Sequence, residues 1–133
     1  MSGGIILPEP SVVALITSGG TIEGPGGLSG IFNGAITMSV ASTWYQLSSA
    51  SLTPGTYLVL FSGVVSPNYL LSMTLSLTSA ASSSSWSVTS IGYANVAIVK
   101  VVTTTTIYMN GSISSIASGA GAGYGTIIAT CIL

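Results

Sequence analysis

The sequence predicts an all-β chain, a sandwich, jelly roll or small barrel of about eight strands, and three observations predict it. Apolar and hydroxyl-bearing residues alternate with period two through much of the chain after residue 35. The alternating runs recur about every 8 to 14 residues with turn signals between them. No stretch sustains the i, i+3, i+4 spacing of an amphipathic helix.

Residues 1–34 differ in texture from the rest. Gly3-Gly4, Pro8-Glu9-Pro10, Gly19-Gly20 and Gly24-Pro25-Gly26-Gly27 separate the apolar islands Ile5–Leu7 and Val12–Ile16. So many breakers exclude a helix, and each island suits a strand added to a sheet edge. Two readings stay open: an arm that reaches a neighbouring subunit, and a first strand with its loop packed on its own domain. Residues 35–133 form the β domain. Ile36, Met38 and Val40 alternate with Thr37 and Ser39, and Trp44–Leu47 leads into a Ser-rich link and the turn Thr53-Pro54-Gly55. Thr56–Val65 is apolar on both parities, as in a central strand covered on both sides, and Ser66-Pro67-Asn68 ends it. In the next strand Tyr69, Leu71, Met73, Leu75 and Leu77 take one parity and Ser72, Thr74, Ser76 and Thr78 the other.

Ala80–Ser85 reads as a small-residue loop. Trp86 and Val88 resume the alternation, and a parity shift near Ser90–Gly92 marks a bulge or break. Ala94, Val96, Ile98, Lys100 and Val102 share a parity, β-branched Thr103–Thr106 follows, and Asn110-Gly111 predicts a type I′ hairpin returning through Ser112–Ser118. Gly119–Gly125 reads as a flexible loop carrying Tyr124, and Thr126–Leu133 as an apolar closing strand.

Composition narrows function. Among 133 residues only 2% are charged, against about a quarter in ordinary domains. The inventory is Glu9, Glu23 and Lys100, with no His, for a formal net charge of -1. A Ser-His-Asp triad is therefore excluded, and one Cys with two distant Glu residues cannot assemble a zinc site. Glu9 and Glu23 are the only pair that could act on a glycosidic bond, and they lie on the expected arm, so no enzyme and no cofactor is expected. One cation cannot neutralise a phosphate backbone, which argues against nucleic acid and anionic membrane surfaces as partners. Mean hydropathy is high, at +0.82, yet no run approaches the roughly 20 apolar residues of a spanning helix. The first residues lack the basic region of a secretory leader, so none is expected, and membrane insertion is not expected either. Cys131, alone and in an apolar setting, is expected to be buried.

Three features stand out as candidate sites. Lys100 sits in Ile98-Val99-Lys100-Val101-Val102, where it fits a surface lysine guarding an edge strand, an ion pair with Glu9 or Glu23, or a Lys–Asn crosslink assisted by a buried Glu. Asn110-Gly111-Ser112 matches the N-glycosylation pattern on the expected hairpin, whereas Asn33, Asn68 and Asn95 lack the downstream hydroxyl. Ser82, Ser83 and Ser84 in one loop, with Gly121 and Tyr124 in another, are the candidate exposed loops. The aromatics Trp44, Tyr45, Tyr57, Trp86, Tyr93, Tyr108 and Tyr124 fit either core and interface packing or a sugar-stacking surface.

The stretch Ser42-Thr43-Trp44-Tyr45-Gln46-Leu47, with its Ser-rich link and Leu52-Thr53-Pro54-Gly55-Thr56-Tyr57-Leu58-Val59, resembles the first half of the head domains at the tips of phage tail fibres. Those heads are similar to C1q and tumour necrosis factor jelly rolls. Thr103–Met109 with Asn110-Gly111, and the ending Gly125-Thr126-Ile127-Ile128-Ala129, resemble that family's last strands, so the likeness covers residues 35–133. It departs from the family in its low charge and in Cys131, near where the heads commonly carry a basic residue. The resemblance implies an antiparallel, jelly-roll-like β-sandwich of about eight strands with an extended N-terminal arm, and a homotrimer whose subunits bury apolar faces against one another.

The function expected is that of a noncatalytic virion structural protein. It would serve particle assembly and host attachment as a fibre head, turret, capsid or decoration component, with other virion proteins and a host surface glycan or protein as partners. The alternative is a cellular extracellular filament or surface-layer subunit assembled by strand complementation through the arm. Near-zero net charge with apolar edges promotes association, which such a protein uses as interface.

Overall fold

A computed structural model describes residues 12–17, 21–22, 28–32, 35–67, 69–91, 94–116 and 119–132, and among these described residues it forms eleven strands. They are β1 (Val12–Thr17), β2 (Thr21–Ile22), β3 (Leu28–Phe32), β4 (Ile36–Met38), β5 (Tyr45–Leu52), β6 (Gly55–Ser66), β7 (Leu71–Ser76), β8 (Thr89–Ile91), β9 (Ala94–Val101), β10 (Thr105–Ile113) and β11 (Gly121–Cys131). Eight of them lie from residue 35 onward.

They form two sheets. The larger has the order β1–β3–β11–β6–β9–β8, with β4 also pairing β11, and the smaller the order β2–β5–β10–β7. Every pairing is antiparallel except β1 with β3 and β2 with β5, which are parallel. Counted from β4, the larger sheet interleaves the first, last, third and sixth strands, and the smaller the second, seventh and fourth. That is the jelly-roll-like order of an antiparallel sandwich. The fifth strand, β8, pairs with β9 instead of β7, so the smaller sheet ends at β7.

Period-two alternation determines which side chains enter the core. From β6 come Tyr57, Val59, Phe61 and Val65, from β9 Ala97, Val99 and Val101, and from β11 Ile127, Ala129 and Cys131. The smaller sheet meets them with Leu47, Leu52, Leu75, Ile107, Met109 and Ile113. Burying each large aliphatic side chain contributes roughly 1.5–3 kcal/mol. Tyr57 keeps its hydroxyl satisfied by donating to the Thr53 carbonyl at 3.0 Å. The Ser66–Pro67 peptide at the end of β6 is cis.

Two expectations are corrected. No hairpin forms at Asn110-Gly111: β10 runs straight through both, pairing with β5 on one side and β7 on the other. A Cβ on Gly111 would stand 2.6 Å from Leu47 Cδ1 and 2.9 Å from Leu71 Cδ1, so the glycine leaves room for the side chains of the two strands that flank it in its own sheet. The expected Gly119–Gly125 loop is also strand from Gly121 on, with Gly121, Gly123 and Gly125 buried on its inner face. At the parity shift expected near Ser90–Gly92, Ile91 of β8 pairs antiparallel with Ala94 of β9.

The segment expected as an arm pairs with its own domain at both sheets. β3 lies against Thr126–Thr130 of β11, and β2 against Ser51 and Leu52 of β5.

Candidate functional site

The registers of β11, β6 and β9 place an ordered set of side chains on the outer face of the larger sheet. Ile128, Leu60 and Val96 form one row across the three strands, and Thr130, Leu58 and Ile98 the next. Tyr124 stands beside Val64, and Thr56 beside Lys100 at the far end. A third full row, Thr126, Ser62 and Ala94, is small and hydroxyl-bearing, whereas five of the six residues in the other two are aliphatic. Val64 is 58% exposed, Ile98 54% and Ile128 38%, while Leu58, Leu60 and Val96 are half-buried. β6 is central within its sheet, as expected, but its outward face is not fully covered.

Lys100 is the only charged side chain on these rows, and it is exposed. β8 pairs with β9 only at Ala94–Val96, so Lys100 lies on a half of β9 that β8 does not reach. That is the setting of a lysine guarding a strand edge, its stem along apolar neighbours and its ammonium in water. The ion-pair and crosslink readings both require Glu9 or Glu23, which lie outside the described residues.

The outer face of the smaller sheet is the opposite in kind. It carries Ser49 and Ser51 from β5, Thr106, Tyr108, Asn110 and Ser112 from β10, and Ser72, Thr74 and Ser76 from β7. Yet Ser49, Thr74, Ser76, Asn110 and Ser112 are buried. Over Thr74, Ser76 and Asn110 the cover is the segment Leu77–Ser85, which folds back over this face as a strap. Thr78 N–H donates to Ser76 Oγ at 3.0 Å, a hydroxyl-closed turn that reverses the chain. Ala80 follows in the left-handed region, at φ 55°. Its N–H donates to Asn110 Oδ1 at 2.8 Å, while Asn110 Nδ2 donates to the Thr78 carbonyl at 3.1 Å. Thr74 Oγ1 donates to the Ala81 carbonyl, and Ser79 Oγ to Gln46 Oε1. Along the β7 edge, Leu75 N–H donates to Ser84 Oγ at 3.1 Å, Ser85 N–H to the Leu75 carbonyl at 2.9 Å, and Leu77 N–H to Ser85 Oγ at 2.9 Å.

This geometry settles several sequence expectations. Asn110 is fully buried in mid-strand with its carboxamide engaged, so the folded chain does not offer it as an exposed glycosylation acceptor. Ser82, Ser83 and Ser84 are exposed, on the strap. Gly121 and Tyr124 are not loop residues: Gly121 is buried on the inner face of β11, and Tyr124 is half-buried on its outer face. The aromatics do not form one stacking surface. Tyr57 is in the core, Trp86 and Tyr45 pack against it, and Tyr108 and Tyr124 sit on opposite outer faces; Tyr93 lies outside the described residues. Cys131 is buried, as its setting suggested.

A groove of about 650 Å³ runs between the end of β6, the start of β7 and the paired strands β8 and β9, lined in part by Val64, Leu70, Met73, Ser90 and Asn95. Ser90 Oγ donates to Asn95 Oδ1 at 2.7 Å. No side chain lining it is a carboxylate or an amine, so among the described residues it offers neutral polar and apolar contacts only. What sequence reasoning missed is the strap: Ala80–Ser85 was legible as a small-residue loop, but not the edge it covers. Comparison with known proteins finds no matching family model, no matching curated protein and no matching solved structure.

Proposed function

We propose that the chain is a noncatalytic structural subunit of a virion, a jelly-roll-like module that joins copies of itself as a homotrimer on the particle surface and contributes to host attachment. This is the arrangement implied by its resemblance to tail-fibre heads, and a turret, capsid or decoration role belongs to the same class. The observation that carries the reading is the charge-poor aliphatic outer face of the larger sheet. An ordinary partner brings about a quarter charged residues, whose desolvation against such a face is costly. A second copy brings almost none. The exposed Ser82, Ser83 and Ser84 suit contact with a host glycan or protein, since hydroxyls offer hydrogen bonds without charge.

Native mass under mild conditions tests this. A closed trimer that dissociates with Ile98→Glu is expected; a monomer, or an oligomer indifferent to that charge, overturns it.

A second reading is favoured by one feature of the arm. β3 and β2 pair with the two sheets by strand addition, so the same segments taken from a neighbouring copy would yield an extracellular filament or surface layer. An open-ended ladder of masses, lost on deleting residues 1–34, is the outcome that reading requires.

A further inference from the structure

We propose that Leu77–Ser85 is a releasable cover over a latent strand-docking edge, and that the strand it excludes is β7 of a second copy. β7 is the last strand of the smaller sheet. Natural sheet edges are blunted by charges, prolines or bulges, and β7 has none: Leu71-Ser72-Met73-Thr74-Leu75-Ser76 is an uncharged run that pairs with β10 without a register shift. The strap protects the Leu75 end of this edge instead, and among the described residues none of its hydrogen bonds reaches the Leu71 or Met73 backbone. Of the three hydrogen bonds that Ser84 and Ser85 make with the Leu75 and Leu77 backbone, two end on the serine hydroxyls.

The strap is also built to come off. Between Leu77 and Ser85 no side chain is buried, and only Ala81 is half-buried. A segment with few buried apolar contacts opens at a free energy below that of global unfolding.

The occupant follows from the pattern of β7. Antiparallel pairing of two β7 strands about a two-fold axis sets the Leu71, Met73 and Leu75 faces side by side, and likewise the Ser72, Thr74 and Ser76 faces. The Leu75 and Leu77 backbone groups released by the strap then find backbone partners, and two smaller sheets become one continuous sheet. The proposal does not depend on which face joins subunits in the particle.

The test uses the full chain carrying Ile98→Glu, so that association through the larger sheet does not contribute. Adding Ser84→Ala and Ser85→Ala is expected to double the native mass, and adding Ser72→Lys to restore the original mass by placing like charges at the new junction. A folded Ser84→Ala, Ser85→Ala chain of unchanged mass overturns the proposal, as does a doubling that Ser72→Lys leaves intact. Should the double-alanine chain fail to fold, amide exchange on the unaltered protein decides. The Leu75 and Leu77 amides are then expected to exchange at least tenfold faster than those of β10; equal protection shows a strap integral to the core and overturns the proposal. If Ile98→Glu leaves the oligomer unchanged, the trimer reading fails, while a mass doubling above that baseline still reports on the strap.

Discussion

The outer faces of the two sheets invert the usual relation between polarity and exposure. On the larger sheet Val64, Ile98 and Ile128 stand open, whereas on the smaller sheet Ser49, Thr74, Ser76, Asn110 and Ser112 are buried. The difference lies in what the chain itself can supply. A hydroxyl and amide face needs hydrogen-bond partners, and a strap of small residues provides them from its own backbone and serines. An aliphatic face needs area, and nine short, mostly exposed residues have little area to give. The polar face is thus satisfied in large part within the subunit, and the apolar face is the one the proposed assembly would use.

Charge placed on each face in turn has the largest expected effect. Ile98→Glu combined with Ile128→Glu buries two unpaired carboxylates in the proposed interface. Even a few kcal/mol in total amounts to on the order of a hundredfold or more in dissociation constant. Ser83→Glu, on the exposed strap, is expected to leave native mass unchanged. Equal sensitivity of the two positions in a dilution series monitored by light scattering removes the distinction between the faces.

Next in size is the contact that fastens the strap. Asn110→Ala removes the partner of the Thr78 carbonyl and the Ala80 N–H, each lost hydrogen bond costing about 0.5–1.5 kcal/mol, and leaves a gap where the buried carboxamide stood. A loss of about 2–4 kcal/mol in urea unfolding is expected. A loss below 0.5 kcal/mol means that water replaces the amide and that the smaller sheet's face is covered only loosely.

How far the sequence displayed this arrangement depended on where the side-chain volume comes from. β6 and β7 were legible because their own side chains fill the core, so alternation is written into their residues. β10 and β11 were misread where glycine occupies the inward parity. Gly111 looked like a hairpin, and Gly121, Gly123 and Gly125 like a flexible loop, because the volume above them comes from Leu47, Met38, Met109 and Val65, distant in sequence. The outer apolar rows were legible as unusual two-sided strands, but the strap was not. Hydrogen bonds between serine side chains and a particular strand edge depend on tertiary placement, which no local pattern in Ala80–Ser85 encodes.

A Cβ on Gly125 would stand 2.8 Å from Leu47 Cβ and 3.2 Å from the Leu47 carbonyl carbon, and a backbone atom does not yield as a flexible side chain does. Gly125→Ala is therefore expected to cost about 1–3 kcal/mol by overpacking, measured by thermal or urea unfolding. A flexible-loop glycine at a conformation alanine accepts would instead gain a few tenths of a kcal/mol on the same change.

The smallest effect on stability, and the finest probe of the larger sheet's face, is Lys100→Gln. The lysine is exposed, so its removal is expected to change unfolding free energy by less than about 0.5 kcal/mol. Its effect should appear in association. As an edge guard on the part of β9 that β8 leaves unpaired, Lys100 holds further strands off, and its loss is expected to leave the oligomer intact while lowering the concentration at which larger, irregular species form. The ion-pair reading requires the reverse, an oligomer that weakens with Lys100→Gln and, in the unaltered chain, with added salt, because a pair between subunits is screened. The crosslink reading requires an intact mass lower by one ammonia, restored by the same substitution. These three outcomes differ in sign or in kind, so a single variant measured by light scattering, salt titration and mass spectrometry assigns the one charge that this face carries.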